Sequence, residues 1–262
     1  MAILVTRPQP DNEATGASLR ARGFEVLLAP MLRFEPVALP DDPAADYAAI
    51  IVTSANALRA VEPQLAGRRL LDLPLFAVGE RTASAARRAG FATVISADGN
   101  AADLRELVLA KVSNKAKDKI KDKTKDKATK DKKSATARPV LYLAGADLSR
   151  DLAGELGEDG LDVVTRTTYR MIASSVLPRE TCDAIAANQI EAVLHYSVRS
   201  ARAFLDAVRS AGVEISALAV QQCCISATVA SVLREAGATH VTVASSPDEN
   251  ALLGVLDRAL RA

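Results

Sequence analysis

The sequence predicts an α/β fold of two doubly wound parallel-sheet domains, the second inserted into the first as a permuted copy. Short apolar, β-rich runs alternate with Ala/Arg/Glu/Leu stretches at helical spacing, the pattern of βαβ units. Ten such strand runs exceed one ordinary open sheet, so two sheets of five are expected. The two sets also repeat each other in sequence, out of order.

The strands are expected at 3–5, 25–28, 50–52, 75–78, 93–95, 140–143, 162–164, 192–195, 223–225 and 241–243. Ile3-Leu4-Val5, a helix and Gly23-Phe24-Glu25-Val26 recur 137 residues later as Val140-Leu141-Tyr142, a helix and Gly160-Leu161-Asp162-Val163. Ile50 to Ser54 recur at Val193 to Ser197, and Arg87 to Gly90 at Arg234 to Gly237, each of the latter closing a helix with a glycine. Numbered within each domain, the chain reads 1, 2, 3′, 4′, 5′, 1′, 2′, 3, 4, 5. This threading gives a discontinuous outer domain, 1–35 with 172–262, and an inserted domain, 36–171, both flavodoxin-like. The two crossings, 30–36 and 167–172, have extended character and opposite senses, so they are expected to pair as a two-stranded hinge beside a cleft.

Charge is distributed unevenly. All eleven lysines lie between Lys111 and Lys133, a window of net charge +7, while the rest of the chain carries −6. The window follows a helix expected at 101–111 and lacks apolar periodicity, so a disordered, solvated insertion is expected at about 112–137, on the pole opposite the cleft. Interleaved aspartates and the 3% aromatic content argue against a nucleic-acid partner. No apolar run reaches the roughly 20 residues of a membrane helix, and Met1-Ala-Ile-Leu-Val leads into a strand, so a cytoplasmic protein is expected. Cys182, Cys223 and Cys224 lack metal spacing and are expected as small core residues. Neither His195, expected inside a strand, nor His240 suits a catalytic dyad. With no HxxxH motif or carboxylate cluster, no metal site is expected.

The carboxyl ends of the strands carry small and hydroxylic residues: Thr6-Arg7-Pro8, Thr53-Ser54-Ala55-Asn56, Gly79-Glu80-Arg81-Thr82, Ala144-Gly145-Ala146, Tyr196-Ser197 and Ser226-Ala227-Thr228. Each begins a helix, where unpaired backbone N–H groups bind anions and Ser or Thr caps the first turn. Two readings stand: ordinary caps, or a receptor for a ligand with many carboxylates or phosphates. Tyr169 lies at a crossing, as hinge packing or as a proton donor.

These motifs, with Leu4-Val5-Thr6-Arg7-Pro8, Ala77-Val78-Gly79-Glu80-Arg81-Thr82-Ala83, Tyr196-Ser197-Val198-Arg199-Ser200 and Ile225-Ser226-Ala227-Thr228, resemble uroporphyrinogen-III synthases over all but the lysine window. The resemblance implies cyclisation of the linear tetrapyrrole hydroxymethylbilane to uroporphyrinogen III, with loss of water and inversion of the last ring. It implies no cofactor, a monomer, and hand-over of substrate from the preceding bilane-forming enzyme. Carried over by position, Tyr169 is the proton donor. Thr6, Arg7, Thr53, Ser54, Ala55, Gly79, Arg81, Thr82, Gly145, Ser197, Arg199 and Thr228 are the substrate-binding set. Where the family commonly has Gly and a Thr pair in the late motif, this chain has Ser226, Thr228 and Val229. The alternative is a non-catalytic two-domain protein binding a small polyanionic ligand.

Overall fold

The computed structural model describes residues 1–40, 46–65, 69–112 and 138–260, with the backbone alone for 113–123. In chain order the elements are β1 (Ala2–Val5), α1 (Asp11–Ala21), β2 (Glu25–Leu28), β3 (Leu32–Pro36), β4 (Ala49–Val52), α2 (Ala55–Val61), β5 (Leu75–Ala77), α3 (Glu80–Arg88), β6 (Val94–Ser96) and α4 (Ala101–Lys123). There follow β7 (Val140–Gly145), α5 (Leu152–Glu158), β8 (Val163–Ala173), α6 (Arg179–Ala186), β9 (Ile190–His195), α7 (Val198–Ser210), α8 (Glu214–Ala219), β10 (Gln221–Cys224), α9 (Ala227–Glu235), β11 (Val241–Val243) and α10 (Glu249–Ala259). They group into two compact units, Met1–Phe34 with Ile172–Ala262, and Glu35–Met171.

The first unit has the strand order β11-β10-β9-β1-β2, with every recorded pair parallel. Period-two alternation sends Ile3, Val5 and Leu194 to one face, under Leu19 of α1 and Leu252, Leu253 and Leu256 of α10. Leu4 and Val193 face the other way, under Ile185 of α6, Phe204, Ala207 and Val208 of α7, and Ala217 of α8. Both faces of the sheet are thereby covered, as parallel sheets require. Cys223 and Cys224 are buried on β10 as core residues, and Cys182 is half-buried.

The second unit has the order β3-β8-β7-β4-β5-β6. Ile50, Val52, Leu75, Ala77, Leu141 and Leu143 pack under α2 and α3 on one face. Ala49, Ile51, Phe76, Val140, Tyr142 and Ala144 pack under α4 and α5 on the other. The sheet has six strands rather than five because the first crossing forms β3, which lies beside β8, the expected strand prolonged through the second crossing to Ala173. Val37 N–H donates to Thr168 O (2.6 Å) in the second unit, and Ser174 N–H to Met31 O (2.9 Å) in the first, which sets the crossings antiparallel.

The sequence offsets reappear as sheet register. Ile3 pairs with Val26 as Val140 pairs with Val163, and Leu4 with Val193 as Leu141 with Ile50. Val193 pairs with Gln222 as Ile50 with Leu75, and Gln222 with Val241 as Leu75 with Val94. Each sheet therefore has its five parallel strands in the order 2-1-3-4-5. Gly90 (φ +95°) and Gly237 (φ +101°) end α3 and α9 in the left-handed conformation that a Cβ disfavours.

Helix α4 continues past the expected end at 111 because no Gly or Pro interrupts 101–123, and Ala, Leu, Glu and Lys favour helix. The rest of the insertion expected at about 112–137 lies outside the described residues. Among the described residues no helix is long and apolar enough to cross a membrane, and no group of three or more His, Cys, Asp or Glu side chains is placed to hold a metal ion.

Candidate active site

Parallel strands have their carboxyl ends along one edge, so each sheet gathers its small polar motifs there. In the first unit, Thr6 follows β1, fully buried, and its Oγ1 donates to Leu194 O (2.8 Å), tying β1 to β9. Arg7 is held from three sides. Its guanidinium reaches Asp11 (2.9 Å) and Glu249 (3.2 Å), donates to Thr15 Oγ1 (3.0 Å), and lies 4.3 Å from the Tyr196 ring centre. The Tyr196 hydroxyl donates to Glu249 Oε1 (3.2 Å), and burial pushes this phenol up to about 12, so it stays protonated. Ser197 caps α7, accepting from Ser200 N–H (3.1 Å), and Arg199 is exposed in the same first turn. Ser226 caps α9 through Val229 N–H (3.4 Å), with Thr228 exposed beside it.

Under this edge His195 is fully buried, its Nε2 2.8 Å from Gln222 Oε1. Gln222 Nε2 donates to Ala217 O and Val220 O (both 2.8 Å), so its oxygen must accept and His195 Nε2 must carry the proton. His195 Nδ1 has no partner, and burial pulls the imidazole down to about 4. This histidine is a neutral core group, as its position within a strand implies.

In the second unit, Thr53 Oγ1, just past β4, and Tyr142 OH, from within β7, share a hydrogen bond (3.0 Å). Ser54 caps α2 by accepting from Asn56 N–H (3.2 Å), and Ala55 is half-buried in the first turn. Gly79 opens α3 without a side-chain cap. Thr82 is buried in its first turn, and Arg81 is exposed. Burial pushes the Tyr142 phenol up, the Thr53 hydrogen bond opposes this, and the nearby Tyr169 adds to it.

Tyr169 and Gly145 belong together. They are register partners at a bulge between Ala144 and Gly145, and Ala146 N–H donates to Tyr169 O (2.9 Å). A Cβ on Gly145 would lie 2.7 Å from Tyr169 Cζ and 2.8 Å from its hydroxyl oxygen, so the absent side chain is what lets the half-buried ring lie over β7. Gly145 thus serves Tyr169 and does not open a helix as expected: it ends β7, and α5 begins only at Leu152, capped by Asp151. Within each unit the expected residues therefore share one edge, and Thr53, Gly145 and Tyr169 form one cluster with Tyr142.

Tyr142, Thr15 and Glu249 were not among the expected site residues. For Tyr142 the usable signal is its place on the strand three residues before Gly145. Thr15 meets Arg7 8 residues along the chain, but Glu249 reaches Thr15 and Arg7 across 234 and 242 residues, contacts that leave no trace in local spacing. An open groove lined by Glu25, Arg179, Asp183 and Asn188 lies at the amino edge of the first sheet, away from all of these residues.

The family model of uroporphyrinogen-III synthase HemD matches residues 13–254. Among solved structures, uroporphyrinogen-III synthetase from Helicobacter pylori is 18% identical, covers 98% of each chain and superposes with a TM-score of 0.61. A mutant uroporphyrinogen-III synthase from Thermus thermophilus is 17% identical, covers 100% of this chain and 99% of its own, with a TM-score of 0.55. Among curated proteins none matches. Matched by the family's model over most of its length, and folded like these two solved enzymes, the chain belongs to the uroporphyrinogen-III synthase family, lyases that cyclise hydroxymethylbilane.

Proposed function

We propose that the chain forms uroporphyrinogen III by positioning hydroxymethylbilane at the carboxyl edges of its two sheets, with Tyr169 as the group that protonates the departing hydroxyl. The family match carries the reaction, and the close approach of Tyr169 to Gly145 carries the choice of residue. The electron-rich pyrroles of the bilane expel the hydroxyl themselves, so the protein need not supply a nucleophile. It holds a flexible polyanion in the reactive fold and opposes direct closure to the uninverted isomer, which is catalysis by positioning. The Tyr169 phenol gives its proton to the leaving oxygen, which departs as water.

The starts of α2 and α7, capped by Ser54 and Ser197, receive acetate and propionate arms through backbone N–H groups. The exposed Arg81, Arg199 and Thr228 contribute at the rim. Thr6, with its hydroxyl already given to Leu194 O, acts by fixing the edge. Gly79 and Thr82 shape the start of α3, and Ala55 that of α2. The two units work as domains, 1–35 with 172–262 and 36–171. We further propose a cytoplasmic monomer that takes its substrate from the enzyme that makes the bilane.

The test couples the purified chain to a source of hydroxymethylbilane and separates the isomers by fluorescence-detected chromatography. Type III product is expected, and type I alone would overturn the assignment. In the same assay Tyr169→Phe should lower kcat by at least about tenfold with little change in KM. Unchanged kcat would return Tyr169 to packing.

A further inference from the structure

The carboxyl edge of the first unit holds one of the chain's own carboxylates inside a ring of donors. Glu249 Oε1 accepts from Arg7 Nη1 (3.2 Å), from Tyr196 OH (3.2 Å) and, in a short hydrogen bond, from Thr15 Oγ1. The donors belong to the frame. Thr15 is fully buried on the sheet-facing side of α1, and the Arg7 side chain is 16% exposed, fixed by Asp11 and by the Tyr196 ring. The acceptor is an arm. Glu249 is the first residue of α10, its side chain is 40% exposed, and its carboxylate is held by these three donors at the end of a flexible stem.

Three donors on one oxygen exceed what an ordinary surface ion pair assembles. Left without an acceptor, the buried threonine hydroxyl would be costly, so this position requires a carboxylate but not this particular one. Asn12, one turn before Thr15 on the same buried face of α1, is also fully buried, with neither its amide nitrogen nor its oxygen partnered among the described residues, whereas buried polar groups ordinarily find a protein or water partner.

We propose that Arg7, Thr15 and Tyr196 form a receptor for one carboxylate arm of the substrate, and that Glu249 is an internal stand-in which swings into solvent when that arm enters. The exchange conserves charge at Arg7, which keeps Asp11 throughout. It also suits a net-acidic protein body to a polyanion: the anion replaces a negative charge instead of adding one. The substrate part of the proposal rests on the reaction assigned above, whereas the receptor is tested without the bilane.

Full-length Glu249→Ala is melted in sodium propionate up to about 50 mM, with sodium chloride at equal ionic strength as the control. The vacated receptor should bind propionate and raise Tm by about 2–4 °C, while the wild type, already filled, should not respond. Adding Arg7→Ala to Glu249→Ala should abolish the gain. Equal shifts in the wild type and Glu249→Ala, or a shift surviving in the double variant, would overturn the receptor. Should Glu249→Ala not fold, Glu249→Gln keeps an acceptor without its charge and should show a smaller propionate shift, while no shift there would count against the receptor. In the coupled assay, the KM of Glu249→Ala should fall severalfold. A propionate response without bilane turnover by the wild type would overturn the enzymatic reading but keep the receptor, and turnover without a propionate response would do the reverse.

Discussion

At the scale of single residues, the polar groups of this chain divide into those committed to the fold and those left for chemistry. Thr6 and His195 are committed, one to Leu194 O and the other to Gln222. The folded protein keeps His195 neutral down to about pH 4, against 6.5 for a free imidazole, so its contribution to stability is full above pH 6.5 and is lost as pH falls toward 4. The loss amounts to up to about 3 kcal/mol. Denaturant unfolding at pH 7 and pH 4.5 should show His195→Gln losing about 2 kcal/mol less than the wild type over that interval. Equal losses would mean that carboxylates alone govern the acid limb. Tyr169 is readable in sequence as a crossing residue, whereas Gly145 is expected at a helix start and instead ends β7; their partnership is not readable, because a contact between β7 and β8 appears only once the register is fixed.

At the scale of elements, the sequence was most legible where period and punctuation agree. All ten strands are present, since buried apolar runs closed by glycine leave few alternatives. The crossings were readable as extended but not as a sixth sheet position, because Arg33, Glu35 and Arg170 break the apolar pattern on which strand recognition depends. Helix starts raise a different question, namely whether a capping serine also serves the ligand. Ser197→Ala should lower stability by about 1 kcal/mol through loss of the α7 cap. Ser197→Asp restores a capping oxygen but brings negative charge to a place where carboxylates are proposed to bind, so it should retain stability and raise KM more than Ser197→Ala does. Wild-type KM in Ser197→Asp would make Ser197 a cap and nothing more.

At the scale of the whole molecule, the shared order and register of the two sheets show why a permuted repeat could be read at 18% identity or less to solved relatives: offsets within one chain do not depend on comparison with another. What could not be read is the polar network of Arg7, Thr15, Tyr196 and Glu249, which joins positions far apart in sequence. Among the described residues, those of α4 that pack on the second sheet, Leu104, Leu107, Val108, Leu109 and Val112, all precede position 113. Deleting 113–135 should leave isomer yield unchanged and Tm within about 2 °C, while a large loss in either would give the window a supporting role. The central claim is that substrate is held at the carboxyl edges of both sheets, and a crystal structure with bound uroporphyrinogen III tests it most directly. Acetate and propionate oxygens are expected within hydrogen-bond distance of the first-turn N–H groups of α2 and α7. Product bound instead in the amino-edge groove beside Glu25 and Arg179 would contradict the account.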